Sequence, residues 1–141
     1  MSSYKKILLV VDLSDDSQVI GQRAKSFAGD ASITLLHVVE YVPVEPMGEA
    51  LLPTVQIESE LVDRARKKLA ELAQHLSLEH CEQLVETGSI KAEIIRAAQR
   101  KASDLIVLGS RERHGLAILL NFTEDTILHA APCDVLAVRL H

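Results

Sequence analysis

The sequence predicts an α/β protein: one open, parallel, five-stranded β-sheet with four helices distributed over both faces. Residues 7–11 form a short continuous apolar run, and residues 33–39 form another that is interrupted only by Thr34 and His37; such runs are typical of strands covered on both sides. Between these runs, apolar residues recur at helical spacing. The alternation of the two patterns indicates right-handed βαβ crossovers and hence a parallel sheet.

Five strands and four helices are predicted in the order β-α-β-α-β-α-β-α-β. The strands are residues 7–11, 33–39, 83–87, 105–108 and 135–140. The helices are residues 15–28, 55–76, 90–100 and the segment from a loop at 109–115 to about residue 130, beyond which Pro132 blocks continuation.

Cap residues predict where the helices begin and end, and apolar stripes predict which of their residues are buried. Ser14 is expected to cap the first helix, whose acidic first turn suits the helix dipole, and Gly29 is expected to end it. Gly88 and Ser89 are expected to open the third helix. The predicted buried residues are Ile57, Leu61, Ala65, Leu69, Leu72 and Leu76 on the second helix, and Ile94, Ala97 and Ala98 on the third.

Length and composition limit the classes of protein. A chain of 141 residues fits one domain, residues 1–141, and 48% apolar with 25% charged residues is typical of globular proteins. The net charge of −5 disfavours nucleic-acid binding, which needs clustered positive charge. No apolar run approaches the ~18 residues of a membrane span. Cys81 and Cys133 have neither CxxC nor metal-ligand spacing and are expected to be small buried residues in a reducing cytosol.

Ligands of open α/β sheets bind outside the carboxyl ends of the strands, where the strand order reverses. That rule selects Asp12, residues 38–40 and the segment from Gly109 onward. The Asp12 carboxylate can hold a ligand hydroxyl or a metal, or it can cap its own turn, and both roles stay open. His37, inside an apolar run, is expected to be a hydrogen-bonded core histidine.

Residues 109–115 lie between a predicted strand and a predicted helix. A turn-forming glycine and backbone amides at a helix N-terminus are the parts of an anion site, and Arg111 and Arg113 add positive charge. An ordinary polar loop is the alternative, because the GxGxxG and GxxxxGK[ST] motifs are absent. The GxSxG motif of hydrolases is also absent, and no side-chain cluster has metal-site spacing. No catalytic residue and no metal ligand are therefore predicted.

Four segments resemble the universal stress protein family in chain order. Residues 4–14 resemble its first strand and turn, residues 35–39 its second strand, residues 102–110 its fourth strand, and residues 129–139 the end of its last helix and its last strand. The resemblance implies a Rossmann-like sheet in strand order 3-2-1-4-5 with four helices. It also implies a small cytoplasmic homodimer of the stress response that acts by binding rather than catalysis.

The family divides into ATP binders and non-binders, and the binders carry a glycine pattern after the fourth strand. Gly109 matches the first glycine, whereas Glu112 occupies the second position. In the two possible registers the third glycine and the hydroxyl residue fall on Asn121 and Phe122, or on Phe122 and Thr123. We therefore expect no firm cofactor, with weak or absent ATP binding.

The resemblance also assigns the remaining candidate nucleotide contacts. Asp12 is placed near ribose or metal, the backbone of Val38 against adenine and Arg111 near the phosphates, with Val11 and Leu108 beside them. Two alternatives stay open. One is an ATP- or AMP-binding member with slow hydrolysis or autophosphorylation. The other is an adaptor for unidentified proteins that uses residues 40–54, a predicted long loop with Pro43, Pro46 and Pro53.

The last strand is expected at a sheet edge, where its apolar segment is Val135, Leu136, Ala137 and Val138. An apolar edge tends to pair with another chain. Two-fold pairing of this edge with itself would give the homodimer that the resemblance implies.

Overall fold

The computed structural model describes residues 4–40, 51–111, 127 and 129–140. The strands are β1 (Lys6–Val10), β2 (Ser32–Val39), β3 (Glu82–Thr87), β4 (Leu105–Arg111) and β5 (Asp134–Leu140), and the helices are α1 (Ser17–Ala28), α2 (Leu51–His75) and α3 (Ile90–Arg100). The strands form one sheet in the order β3-β2-β1-β4-β5, and every neighbouring pair is parallel. The predicted topology is confirmed.

The core consists of two layers, one on each face of the sheet. Alternate residues of β1 contribute to each layer, with Ile7 and Leu9 on the face covered by α1 and α2 and Leu8 on the face covered by α3. These three side chains are at most 1% exposed. Burial on both faces explains why the strand sequences are continuously apolar. The predicted stripe of α3 (Ile94, Ala97 and Ala98) is confirmed as buried.

The predicted start of α1 is wrong. The helix begins at Ser17, Asp16 occupies the N-cap position without a side-chain cap, and no acidic residue lies in the first turn. The Ser14 hydroxyl instead donates to Asp12, and the Ser14 carbonyl accepts from the Ser17 N–H at 3.0 Å. The Ser14 hydroxyl therefore stabilises the turn after β1 and does not cap α1. The predicted end is confirmed, since Gly29 adopts a φ of 51° at the C-cap.

α2 begins earlier than predicted, at Leu51, so the predicted loop 40–54 is shortened and its residues 41–50 lie outside the described residues. Pro53 falls in the first turn, where its missing N–H has no helical partner to lose. Ile57 was predicted to be buried but is 52% exposed, which corrects that assignment. A 25-residue helix spans about 37 Å and the eight residues of β2 about 26 Å, so the first turns extend past the strand.

β4 continues to Arg111, where a loop was predicted from Gly109, because β5 pairs with β4 as far as Arg111 and Leu140. The described residues contain three complete helices rather than the four expected. The predicted fourth helix lies mainly within residues 112–126, outside the described residues. Ile127, His129 and Ala130 are helical, and the Ala131 N–H donates to the Ile127 carbonyl at 2.8 Å. No helix in the described ranges is long and apolar enough to cross a bilayer.

The amino ends of β1 and β4 are joined by the Asp104 carboxylate. Its two oxygens accept from the N–H groups of Lys5 at 2.7 Å and Lys6 at 2.9 Å, and the Asp104 N–H donates to the Lys6 carbonyl at 2.8 Å. Burial raises the pKa of the Asp104 carboxyl, but the backbone N–H groups of Lys5, Lys6 and Asp104 together with the charge of Lys5 hold the pKa below its ordinary value. The carboxylate therefore stabilises the fold in its ionised form.

We expect Asp104→Asn to lower the free energy of unfolding by about 1 kcal/mol at pH 7, because one oxygen acceptor is lost at a half-exposed site. A depressed folded-state pKa stabilises the protein above the unfolded value of about 3.9, and this stabilisation is lost as pH falls through the folded value. The difference from the wild type should therefore shrink in acid. Urea denaturation between pH 2.5 and 7 measures it, with exposed Asp30→Asn as the matched control; a difference independent of pH would contradict the assignment.

Candidate ligand site at the carboxyl ends of β1 and β4

A crevice is expected where the backbones of β1 and β4 separate. Their pairing ends at Leu9 and Val107, whereas β4 runs on beside β5 to Arg111. On its other side β1 stays attached to β2, because the Val11 N–H donates to the Leu36 carbonyl at 2.9 Å. The strand order reverses at this point, which is where open α/β sheets bind ligands.

Asp12 lies at this crevice, immediately after β1, and its carboxylate caps the following turn. Oδ1 accepts from the Ser14 N–H at 2.9 Å, the Ser14 hydroxyl at 2.6 Å and the Ser17 hydroxyl at 3.1 Å. Capping was one of the two roles left open by the sequence. Several donors on one oxygen fix the orientation of the carboxylate while its Cα stays at the carboxyl edge.

Two residues of this turn were missed by sequence reasoning. Ser17 is fully buried at the start of α1. Leu13 adopts a φ of 65°, a left-handed conformation that is disfavoured for a leucine. A serine five positions after an aspartate is a weak signal, and a left-handed leucine leaves no signal in a single sequence.

His37 is hydrogen-bonded, as predicted, but it is half-buried rather than a core residue. Its Nδ1 lies 2.8 Å from the Val11 carbonyl oxygen. Because a carbonyl only accepts, Nδ1 must carry the proton, and the ring donates. The side chain therefore extends the attachment of β1 to β2 by one residue beyond the end of β1.

Three predicted site residues are core residues at the level of their side chains. Val11 is 3% exposed and packs with the α1 and α2 layer, whereas Val38 at 7% and Leu108 at 6% pack with the α3 layer. Their side chains therefore do not face a ligand at the carboxyl edge, and both backbone groups of Val11 are already hydrogen-bonded, to Leu36 and His37. The backbone contact expected of Val38 stays a prediction.

Gly109 is a packing glycine inside β4. A Cβ at this position would lie 2.7 Å from Ile20 Cδ1 and 2.8 Å from Leu140 Cδ1. Its φ is not in the left-handed region, unlike that of Gly29 or Gly88. A side chain at this position would therefore displace Ile20 or Leu140, which is a reason for glycine that is separate from any phosphate.

The proposed phosphate loop lies almost wholly outside the described residues. Arg111 is the last residue of β4. Glu112, Asn121, Phe122 and Thr123 fall within residues 112–126, so their roles stay predictions.

Neither thiol is activated for nucleophilic chemistry. Cys81 and Cys133 are free, and both are half-buried rather than buried as predicted. Burial raises the pKa of both thiols. At Cys81 a backbone hydrogen bond from Ile33 opposes this effect, whereas at Cys133 the charges of Asp134 and Asp104 add to it.

Within the described part of the chain, no group of three His, Cys, Asp or Glu side chains is placed to hold a metal ion. What the described site offers is backbone groups and one oriented carboxylate.

β5 forms an edge of the described sheet, with β4 as its neighbour there. The predicted edge residues differ in exposure: Val135 and Leu136 are half-buried, Ala137 is exposed, and Val138 is buried. Ala137 is thus the position where an edge contact can be altered without opening the core.

Comparisons with known proteins identify the family to which this chain is similar. The profile of the universal stress protein family matches residues 3–139. Universal stress protein A homologue 2 of Coxiella burnetii is 36% identical over 143 residues, which covers 99% of this chain and 98% of the relative. UspA from Lactobacillus plantarum has a TM-score of 0.74 at 26% identity, covering 99% of this chain and 100% of that one.

A universal stress protein solved in complex with cAMP has a TM-score of 0.63 at 19% identity, covering 97% of this chain and 98% of that chain, and this likeness concerns the fold. The profile match spans nearly the whole chain, and the Coxiella relative exceeds 30% identity over almost its full length. This chain therefore belongs to the universal stress protein family.

Proposed function

We propose that this protein is a cytoplasmic, homodimeric stress-response protein that acts by binding, with a weakened adenine-nucleotide site at the carboxyl ends of β1 and β4. The observation that carries the proposal is the separation of β1 from β4 after Leu9 and Val107, beside the oriented Asp12 carboxylate. A carboxylate accepts hydrogen bonds from the paired hydroxyls of a ribose. A related fold solved with cAMP supports the adenine-nucleotide class.

The weakening follows from the residues at the glycine positions of the phosphate loop. Glu112 and either Asn121 or Phe122 stand where glycines permit a left-handed backbone, at a cost of about 1–2 kcal/mol per residue if that conformation is kept, less for asparagine. At the second glycine position the Glu112 carboxylate would bring a negative charge towards a triphosphate, and two like charges ~4 Å apart repel by about 4 kcal/mol at an effective dielectric near 20. Arg111 and Arg113 oppose this repulsion.

We expect Glu112→Gly/Asn121→Gly/Phe122→Ser to bind ATP–Mg²⁺ at least tenfold more tightly than the wild type, which is about 1.4 kcal/mol. Calorimetric titration of both proteins measures the difference, and native mass spectrometry of the purified wild type tests for retained nucleotide. Glu79→Gly controls for the loss of one negative charge, because Glu79 is exposed and lies before β3, at the amino ends of the strands. Micromolar binding by the wild type, or no gain in the triple variant, would overturn the weakened site. Release of phosphate from ATP by the wild type would favour slow hydrolysis instead.

The homodimer is supported by a difference between the two edge strands. On β3, the Glu82 carboxylate pairs with Lys101 at 2.6 Å and that of Glu86 with Arg100 at 3.3 Å. Charged side chains along an edge strand discourage pairing with another chain. The middle of β5, residues 135–138, is apolar, and β5 is therefore the edge that we propose to pair across a two-fold axis.

The cytoplasmic location is supported by the two cysteines, which are the only ones in the chain and are both free. Unpaired, half-buried thiols are typical of proteins in a reducing compartment.

A further inference from the structure

The end of β1 is attached to β2 through both backbone groups of Val11. Its N–H donates to the Leu36 carbonyl at 2.9 Å, and its carbonyl accepts from His37 Nδ1 at 2.8 Å. Val11 is only 3% exposed, so neither bond competes with bulk water. The peptide that precedes Asp12 is thereby fixed before the chain enters the turn.

The other side of the turn is attached to α1 through Ser17. Its hydroxyl donates to Asp12 Oδ1 at 3.1 Å, and Ser17 is 0% exposed at the first position of the helix. A hydroxyl in a fully buried position has few rotational alternatives, so it specifies where the carboxylate oxygen lies. The Ser14 hydroxyl adds a second donor at 2.6 Å, from a residue that is itself less buried.

Leu13 lies between these two attachments with a φ of 65°. A leucine in the left-handed region is strained, and such strain persists only where the surroundings fix the backbone on both sides. Strained residues of this kind cluster at ligand sites. The strain is thus independent evidence that the conformation of the turn is imposed by the contacts of Val11 and Asp12.

We propose that His37 and Ser17 are positioning residues of the nucleotide site: together they hold Asp12 in its ribose-binding orientation before any ligand arrives. This inference rests on the nucleotide site proposed above. His37 fixes the peptide before Asp12, and Ser17 fixes the carboxylate itself. A carboxylate placed in advance binds a hydroxyl pair without the cost of ordering its side chain on binding.

The inference predicts a loss of selectivity for ribose, measured in the tighter-binding Glu112→Gly/Asn121→Gly/Phe122→Ser background. The probes are AMP and 2′,3′-dideoxy-AMP, which differ only in the ribose hydroxyls. We expect added Ser17→Ala or His37→Phe to reduce the ratio of the two affinities about tenfold and to leave the Kd of dideoxy-AMP unchanged. His37→Asn should restore the ratio, because its amide donates from about the position of Nδ1.

Ser26→Ala is the matched control, since this exposed serine of α1 donates only to the Arg23 carbonyl at 2.6 Å, away from the crevice. It should leave both affinities unchanged. If the Ser17 and His37 variants change the melting temperature but keep the ribose selectivity, the two residues have only a structural role. That result would overturn the inference, while the proposed function would stand. A background that binds neither AMP nor dideoxy-AMP would instead overturn the nucleotide site itself, and the positioning role with it.

Discussion

Ala137→Asp is expected to convert the proposed homodimer into a monomer at concentrations of tens of micromolar. Ala137 is exposed in the middle of β5, so its substitution leaves the protomer core closed. Two-fold pairing of β5 with its copy would bring the two new carboxylates close together, and like charges opposite one another on paired strands are destabilising. We expect dimer affinity to fall about 100-fold, which is about 2.8 kcal/mol.

Sedimentation equilibrium over a concentration series measures this change. Ala70→Asp, at an exposed alanine of α2, is the matched control and should remain dimeric. A charge at Val138 would not serve, because that side chain is 5% exposed and its substitution would open the core. A dimer that survives Ala137→Asp, or a wild type that is monomeric, would refute pairing through β5.

Gly109→Ala is expected to destabilise the protein by about 1–3 kcal/mol through overpacking. The new methyl group would lie 2.7 Å from Ile20 Cδ1 and 2.8 Å from Leu140 Cδ1. Both side chains are buried, at 2% and 9% exposed, and have little room to withdraw. Ile20→Val removes one of the two clashing atoms, so the double variant should lose less than the sum of the single losses, with a coupling of about 1 kcal/mol.

Urea denaturation of the four proteins of this cycle measures the coupling. Gly88→Ala is the control for backbone effects, because Gly88 has a φ of 134° and its nearest side-chain contact, Glu93, would lie at an ordinary 3.5 Å. Its loss should come from the backbone and should not be relieved by Ile20→Val. Additive losses for Gly109→Ala and Ile20→Val would show that the α1–β4 contact does not require the glycine.

Much of the sheet was predictable from the sequence because burial on both faces leaves a direct trace, a continuous apolar run. Boundaries set by tertiary contacts left no such trace. β4 extends to Arg111 because β5 supplies partners that far, and Ile57 is exposed although it lies on the apolar stripe of α2. Local propensity therefore predicted a loop and a buried face in the wrong places.

The location of the candidate site was predictable from the sequence, whereas the contacts that orient its residues were less so. The switch-point rule selected Asp12 and Gly109 from the strand order alone. It gave no information on Ser17, whose contact with Asp12 depends on where α1 starts, or on Leu13, whose φ depends on its neighbours. A serine cap was expected at Ser14 because the sequence does not show that Asp12 competes for its hydroxyl.

The all-parallel sheet also determines at which end of the strands a label attached to either terminus lies. β1 and β5 start at the same edge, where the Tyr4 hydroxyl donates to Asp134 at 2.9 Å, and β5 then runs the length of the sheet to Leu140. Seven residues of strand span about 23 Å. A fluorophore or fusion partner attached beyond Leu140 therefore sits at the carboxyl ends of the strands and can obstruct the proposed ligand site, whereas one attached before Tyr4 sits at the amino ends. Binding measurements on this protein should accordingly carry their labels at the amino terminus.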